Sequence, residues 1–247
     1  MSPSSPAGSR PEVGVLLPAA GQGERAGAGE LKQFRPIGGV PMLLRAVRPF
    51  AQHPLVRQIV IALPAGFAAR PPEWLRDLMG QRLQVVAGGA TRADSVALAL
   101  ERLDPACQVV LVHDAARPFV RHETIDAVIA AAEGGCGAVA AVPVGDTLKR
   151  VEAARDPLNP HPSRSSLPVV SDTVDRRGLW RAQTPQGFPR AWLEEAYARR
   201  GGAAEVTDDA QLVERLGRAV MLIPDHTTNI KVTTADDFLL AEALAAR

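Results

Sequence analysis

Cysteine is scarce in this chain: Cys107 and Cys136 are the only two in 247 residues, and no C-x-x-C pair occurs. A disulfide framework and a cysteine-held zinc site are thereby excluded. Both thiols are expected to be inert and buried, in a reducing compartment. Long hydrophobic runs are also missing, and none approaches the ~20 residues needed to span a bilayer. The Ser/Pro-rich start, Met1–Pro11, lacks an apolar stretch, so it reads as a disordered tail and not as a signal peptide or anchor. No sign of charge predominates: Lys plus Arg is 28, Asp plus Glu is 27, and the formal net charge is +1. A general nucleic-acid-coating role does not suit such a balance, because it rests on neutralising phosphates. Any anion must be met by local charge. What is present, 46% hydrophobic and 22% charged residues, suits a cytoplasmic enzyme near the upper size for one core.

The pattern along the chain alternates short apolar runs with amphipathic segments. Strands are predicted at Val13–Leu17, Gln58–Leu63, Leu83–Ala87, Val109–His113 and Ala138–Val142. Helices are predicted at Met42–Ala51, from Pro71 to about Met79, and at Glu123–Glu133. Another opens at Thr91, whose side chain and Asp94 three residues on form a capping box; Val96, Leu100 and Leu103 share its face. Continuous apolar strands between helices indicate a mostly parallel α/β sheet covered on both faces. At about Val144 the rhythm breaks. Asp146–Val151 and Val169–Val174 read as the two strands of a projecting hairpin arm, spanning about 144–175, with a Pro/Ser-rich tip at Ala153–Pro168. A lone hairpin is marginal in water, so a second subunit is the economical partner. Helices then follow at Pro189–Arg199, after Thr207 and from Thr234, with a strand at Ala219–Ile223. The expected organisation is a tail over 1–11 and a single domain over 12–247.

After the first strand comes a glycine-rich loop, PAAGQGERAGAGELKQ, expected to run to about Gly39. In open α/β sheets ligands bind at that carboxyl end. Small residues let backbone N–H groups approach phosphate oxygens, while Arg25 and Lys32 add positive charge. No G-K-[ST] is present, which excludes a Walker loop. Gly21-x-Gly23-x-x-Ala26 formally fits the dinucleotide fingerprint, yet Gly27 and Gly29 interrupt the helix it needs. No Asp or Glu occurs between Leu31 and Pro72 to take a ribose hydroxyl. A nucleotidyltransferase loop around a nucleoside triphosphate remains.

Further along, GGATRADS places a Gly pair before a helix N-terminus, an anion-favouring arrangement. Ser95 there either meets a base or phosphate or is an ordinary helix-surface serine. In HDAARP, Asp114 is placed for a metal or a substrate hydroxyl, or else for an ion pair with Arg117. His113 reads as a satisfied buried histidine, and no His has metal-ligand spacing. TPQG (184–187) and NIKVT (229–233) close the series. Lys231, in a predicted short apolar strand, needs a partner if its ammonium points inward. Neither a Ser–His–Asp order nor a carboxylate pair stands out, so the site positions anions and forms no covalent intermediate.

Taken together and in this order, PAAGQGERAGAGELKQF, GGATRADSV, VLVHDAARPFV, VGDTLKRV, TVDRRGLWRAQTPQGF, EVTDDAQLVE and NIKVTTADD resemble the 2-C-methyl-D-erythritol 4-phosphate cytidylyltransferases of the non-mevalonate isoprenoid pathway. The resemblance extends from about Val13 to the C-terminus. It implies a Rossmann-like nucleotidyltransferase fold, a homodimer joined by the arm, and magnesium-dependent transfer of CMP from CTP, the Mg²⁺ held mainly through the CTP phosphates. By position it implies that Ala19, Ala20, Gly21, Gly23, Gly89, Ser95 and Ala115 line the CTP pocket. Arg25 and Lys32 would stabilise the transition state, and Arg176 and Lys231 would hold the methylerythritol phosphate for attack. Asp114, Arg117, Thr147 and Thr184 would complete the acceptor pocket, with Thr147 and Arg176 serving the neighbouring subunit. The chain departs from the family pattern at Ala90, often acidic, at Leu31, often Pro, and in its longer arm tip. No fused second catalytic domain is expected. The alternatives are a cytidylyltransferase for another alditol phosphate, such as ribitol 5-phosphate, and a non-catalytic nucleotide-binding module.

Overall fold

The computed structural model describes residues 12–21, 31–80, 82–151, 168–201 and 207–246. The expected tail, the loop positions Gly23 and Arg25, and all of the expected arm tip except Pro168 lie outside those residues. Two compact units are present, one formed by 1–141 with 182–247 and the other by 142–181.

In the larger unit, β1 (Glu12–Pro18) leads to a 3₁₀ turn at Lys32–Phe34 and a minimal hairpin, β2 (Pro36–Ile37) and β3 (Val40–Pro41). That hairpin sits inside the stretch expected to be loop. It turns on Gly38 and Gly39, whose φ values of 54° and 71° suit glycine at both central positions of a tight turn. Then come α1 (Met42–Ala51), β4 (Val56–Leu63), α2 (Ala65–Ala69) and α3 (Glu73–Arg76). The helix expected from Pro71 to about Met79 is the four-residue α3, which starts after Pro72, a residue suited to a helix start because it lacks an N–H, and ends at Arg76. The chain continues through β5 (Leu83–Ala87), α4 (Arg92–Leu100), β6 (Cys107–Val112), α5 (His122–Glu133) and β7 (Gly137–Pro143).

The smaller unit contains β8 (Leu148–Val151) paired antiparallel with β9 (Val170–Val174), and the side chains of both strands are largely exposed. β10 (Trp180–Pro189) begins in it and continues into the larger unit. α6 (Arg190–Ala198), α7 (Asp209–Glu214), β11 (Val220–Pro224) and α8 (Ala235–Ala245) follow.

The central sheet has seven strands in the order β11-β7-β10-β6-β1-β4-β5. β1 pairs parallel with β4 and β6, β4 with β5, and β11 with β7, while β10 runs antiparallel to β6. Side-chain alternation divides the core into two layers. Val13, Val15 and Leu17 of β1 join Ile59, Ile61 and Leu111 beneath α1 and α5. Leu16, Val60, Val110 and Val112 face α4, α6 and α7 on the other side. Both faces being covered explains the unbroken apolar runs. Gly14 is required by that packing, since a Cβ there would meet the Leu103 side chain at 2.4 Å. α8 packs with Ile37, Met42 and Val232 in a separate small cluster.

From β1 the chain moves outward to β4 and β5, then returns to β6 on the other side of β1. At such a switch in direction the connections diverge and leave a crevice, here between the segments after Pro18 and after Val112. That is where the candidate residues gather.

Candidate active site

A cavity of about 210 Å³ opens over these strand ends, lined by Pro18, Ala20 and Gly21 after β1, by Gly89–Arg92 and Ser95 at α4, by Asp114–Ala116 after β6, and by Lys231. Of the residues expected in a CTP pocket, Ala20, Gly21, Gly89, Ser95 and Ala115 are thus brought together. Ala19 is buried directly behind, its N–H donating to the Ala62 carbonyl at 2.8 Å. Ala90 lines this cavity too, with no side-chain donor or acceptor of its own.

The cavity wall is shaped by missing side chains. A Cβ on Gly88 would lie 2.3 Å from the Ala20 Cβ and 2.8 Å from the Ser95 hydroxyl. One on Gly89 would lie 2.3 Å from the Asp94 Cβ. Ser95 is buried, not a surface serine: its Oγ donates to the Thr91 carbonyl at 3.0 Å and accepts the Gly89 N–H at 3.2 Å. Thr91 and Asp94 form the expected capping box.

A second cavity, of about 240 Å³, is walled by Arg117, Ala182–Thr184, Gln186, Thr207 and Asp208. It shares Arg92, Asp114 and Lys231 with the first. Asp114 is the hub. Lys231 Nζ stands 2.9 Å from its Oδ2 and Arg92 Nε 3.1 Å from its Oδ1, while Arg117 Nε lies further off at 3.9 Å. The expected alternative of an Asp114–Arg117 pair is therefore the weakest of three. Burial alone would push the Asp114 carboxyl up, but Arg92 and Lys231 hold it well below the usual carboxylate range. Arg92 also reaches Asp209 at 2.8 Å. The wall of the second cavity carries three cations, Arg92, Arg117 and Lys231, against the carboxylates of Asp114 and Asp208, with Asp209 buried behind Arg92.

Lys231 is not in a strand. It lies in a segment outside any helix or strand, pinned on both sides. Asn229 Nδ2 donates to the Thr184 carbonyl at 2.8 Å, and the Val232 N–H donates to the Ala116 carbonyl at 2.8 Å. NIKVT is thereby stitched to TPQG and to HDAARP.

Thr184 is buried, and its hydroxyl is already engaged. It accepts the Asp114 N–H at 3.1 Å and meets His113 Nδ1 at 3.0 Å. His113 Nε2 lies 3.0 Å from the Arg117 carbonyl, an acceptor, so Nε2 carries the proton and Thr184 donates to Nδ1. Full burial pushes the His113 pKa down to about 4. The ring is a neutral strut, as the sequence reading has it, and not a base. Arg117 lines the second cavity while donating to the Asn229 carbonyl at 2.8 Å. Thr147 and Arg176 belong to the smaller unit, where both are exposed and Arg176 donates to the Gly145 carbonyl. Lys32 is half-buried at the start of the 3₁₀ turn.

Two residues that the sequence reading passed over matter here. Gln33 is buried and its Nε2 donates to the Ala19 carbonyl at 2.7 Å, tying the far stem of the glycine-rich loop to its near stem. Arg92 carries the other signal. A cation in the first turn of a helix opposes the macrodipole, so it needs carboxylates close by.

For magnesium the described residues do not make a cage. Asp114 already takes its cations from side chains, and Asp209 takes Arg92 and the Tyr197 hydroxyl. Among the described residues no group of three His, Cys, Asp or Glu is arranged to hold a metal ion. Nor is any helix among them long and apolar enough to cross a membrane. Cys107 is buried, with burial pushing its thiol up to about 11, whereas Cys136 is only partly buried.

A family model described as 2-C-methyl-D-erythritol 4-phosphate cytidylyltransferase matches residues 13–247. The chain belongs to that family. It is a nucleotidyltransferase, and its reaction is the CTP-dependent cytidylylation of methylerythritol phosphate in isoprenoid biosynthesis. The family member of Streptomyces coelicolor is 44% identical over 237 residues, covering 94% of this chain and 84% of that one. The Salinibacter ruber member is 42% identical over 235 residues, covering 94% and 92%. The crystal structure of the Thermus thermophilus cytidylyltransferase matches with a TM-score of 0.75 and 38% identity, covering 96% of this chain and 100% of that one.

Proposed function

We propose that cytidylyl transfer takes place where the two cavities meet, at Arg92, Asp114 and Lys231. The carrying observation is that these three residues wall both cavities. CTP occupies the first, against Ala19, Ala20, Gly21, Gly23, Gly89, Ser95 and Ala115. Methylerythritol phosphate occupies the second, with Asp114 taking a hydroxyl and Arg117 and Lys231 supplying positive charge. Thr184 acts from behind, by fixing the Asp114 backbone.

A phosphate oxygen of the acceptor attacks the α-phosphorus of CTP in line. The new P–O bond forms as the bond to the β-phosphate breaks, giving 4-diphosphocytidyl-2-C-methyl-D-erythritol and pyrophosphate. With a second pKa near ~6, the acceptor phosphate is already an anion at neutral pH, and no general base is needed. The obstacle is repulsion between polyanions and charge gathering on the α-phosphoryl oxygens. Positioning and fixed positive charge overcome it. Arg25 and Lys32 meet the transition state from the glycine-rich loop, while Lys231 and Arg176 align the acceptor. Mg²⁺ would be held mainly through the CTP phosphates and would supply positive charge there; of the carboxylates lining the cavities, Asp114 is engaged by Arg92 and Lys231, and Asp208 by Gln186 and the Gln211 N–H. The active form is a cytoplasmic homodimer in which the arm carries Thr147 and Arg176 to the neighbouring subunit's site.

Pyrophosphate release with CTP, Mg²⁺ and either acceptor tests this reading. Release with methylerythritol phosphate alone is expected. Release only with ribitol 5-phosphate would overturn the acceptor pocket. CTP binding without release from either would identify a binding module.

A further inference from the structure

We infer that Arg92 is a further substrate-contacting residue of this transfer, and that the buried Asp209, backed by Tyr197, positions it. The inference rests on the reading that both substrates meet at the shared wall.

Arg92 has two of its three nitrogens committed, Nε to Asp114 and Nη2 to Asp209. Nη1 has no hydrogen-bond partner among the described residues, and the side chain remains 30% exposed where the two cavities join. One edge of the guanidinium is therefore fixed by carboxylates, which leaves its remaining donors for a substrate oxygen at the wall shared by the two cavities. Only a planar fork can hold two carboxylates and present a third nitrogen; a lysine is a single point charge.

Asp209 lines neither cavity and is fully buried. A charge so placed is costly unless paired. Its oxygens are divided between two donors, Oδ1 taking the Tyr197 hydroxyl at 2.5 Å and Oδ2 taking Arg92. Burial works against the Arg92 charge, but Asp209 and Asp114 together more than offset it and raise the pKa. Asp209 thus acts through Arg92 and touches no substrate.

The test is a set of full-length variants, R92K, D209N, Y197F and the doubles with R92K, compared by kcat and KM in pyrophosphate release and by thermal melting. Loss of a donor aimed at transition-state charge lowers kcat by ~10²–10³-fold, which is the expectation for R92K, with a smaller change in KM. D209N lowers kcat in the wild-type background and adds nothing in the R92K background, because the two act as a unit. R92K at wild-type kcat, or a D209N loss that persists undiminished beside R92K, would overturn the inference. Should D209N fail to fold, Y197F takes its place with the same two outcomes. Wild-type protein that releases no pyrophosphate from CTP and methylerythritol phosphate would instead sink the underlying reading.

Discussion

Lys231 holds its ammonium 2.9 Å from the Asp114 carboxylate, although the two come from segments more than a hundred residues apart. The side chains differ in exposure, 45% for Lys231 and 11% for Asp114. The cation therefore faces the cavity while the carboxylate stays beneath it, ionised. Replacing Lys231 by alanine removes one of the charges that depress the Asp114 carboxyl. A depressed carboxyl contributes fully above its ordinary pKa of ~3.9 and loses that contribution as pH falls through the lowered value. In K231A the folded-state pKa lies closer to the ordinary one, so the stability that Asp114 contributes is smaller and is gone at higher pH. KM for methylerythritol phosphate should rise, while the acid limb of kcat/KM, set by the acceptor phosphate, stays in place. Unchanged KM would remove Lys231 from the acceptor site.

The glycine pair before α4 should not tolerate a methyl group. In G88A the new Cβ meets Ala20 and Ser95, and in G89A it meets Asp94. Overpacking of this kind costs about 1–3 kcal/mol. Both variants should melt lower and bind CTP less well in calorimetry. Wild-type CTP affinity in both would show that the wall gives way freely.

His113 makes stability depend on pH in a calculable direction. Its folded pKa lies below the unfolded value, at about 4 against 6.5. The unfolded chain alone takes up a proton between those values, so the stabilisation present above pH ~6.5 fades as pH falls toward 4, by on the order of 3 kcal/mol. Denaturant unfolding at pH 7.5 and 5 should show a smaller difference in H113N than in the wild type. An equal difference would place the linkage elsewhere.

The arm carries its own expectation. If Arg176 serves the neighbouring subunit, R176A and K32A homodimers are each weak, with K32A down by ~10²–10³-fold in kcat. Mixing the two should restore activity in heterodimers. Heterodimers that form without rescue would put Arg176 in its own subunit's site.

Much of this was legible in the sequence because the signals are local. The capping box at Thr91 and Asp94 marks the start of α4, and buried strands such as β7 declare themselves by unbroken apolar runs. β10 escaped because its residues are polar and proline-containing, and its place beside β6 depends on pairing across the fold. Arg92 escaped for a similar reason. Its partners are 22 and 117 positions away, and no local pattern announces them. Lys231 was recognised by type but misplaced in a strand, since the bonds that hold it come from side chains and isolated carbonyls and not from a ladder.

The most direct measurement is the pH dependence of kcat/KM with methylerythritol phosphate and with its phosphonate analogue, whose second pKa is higher. Neither His113 nor Asp114 is available as a base, so the acceptor's own oxyanion must be the nucleophile. The acid limb is expected to follow the acceptor, moving up with the phosphonate. A limb that stays fixed for both acceptors would assign the titrating group to the enzyme and contradict catalysis by positioning alone.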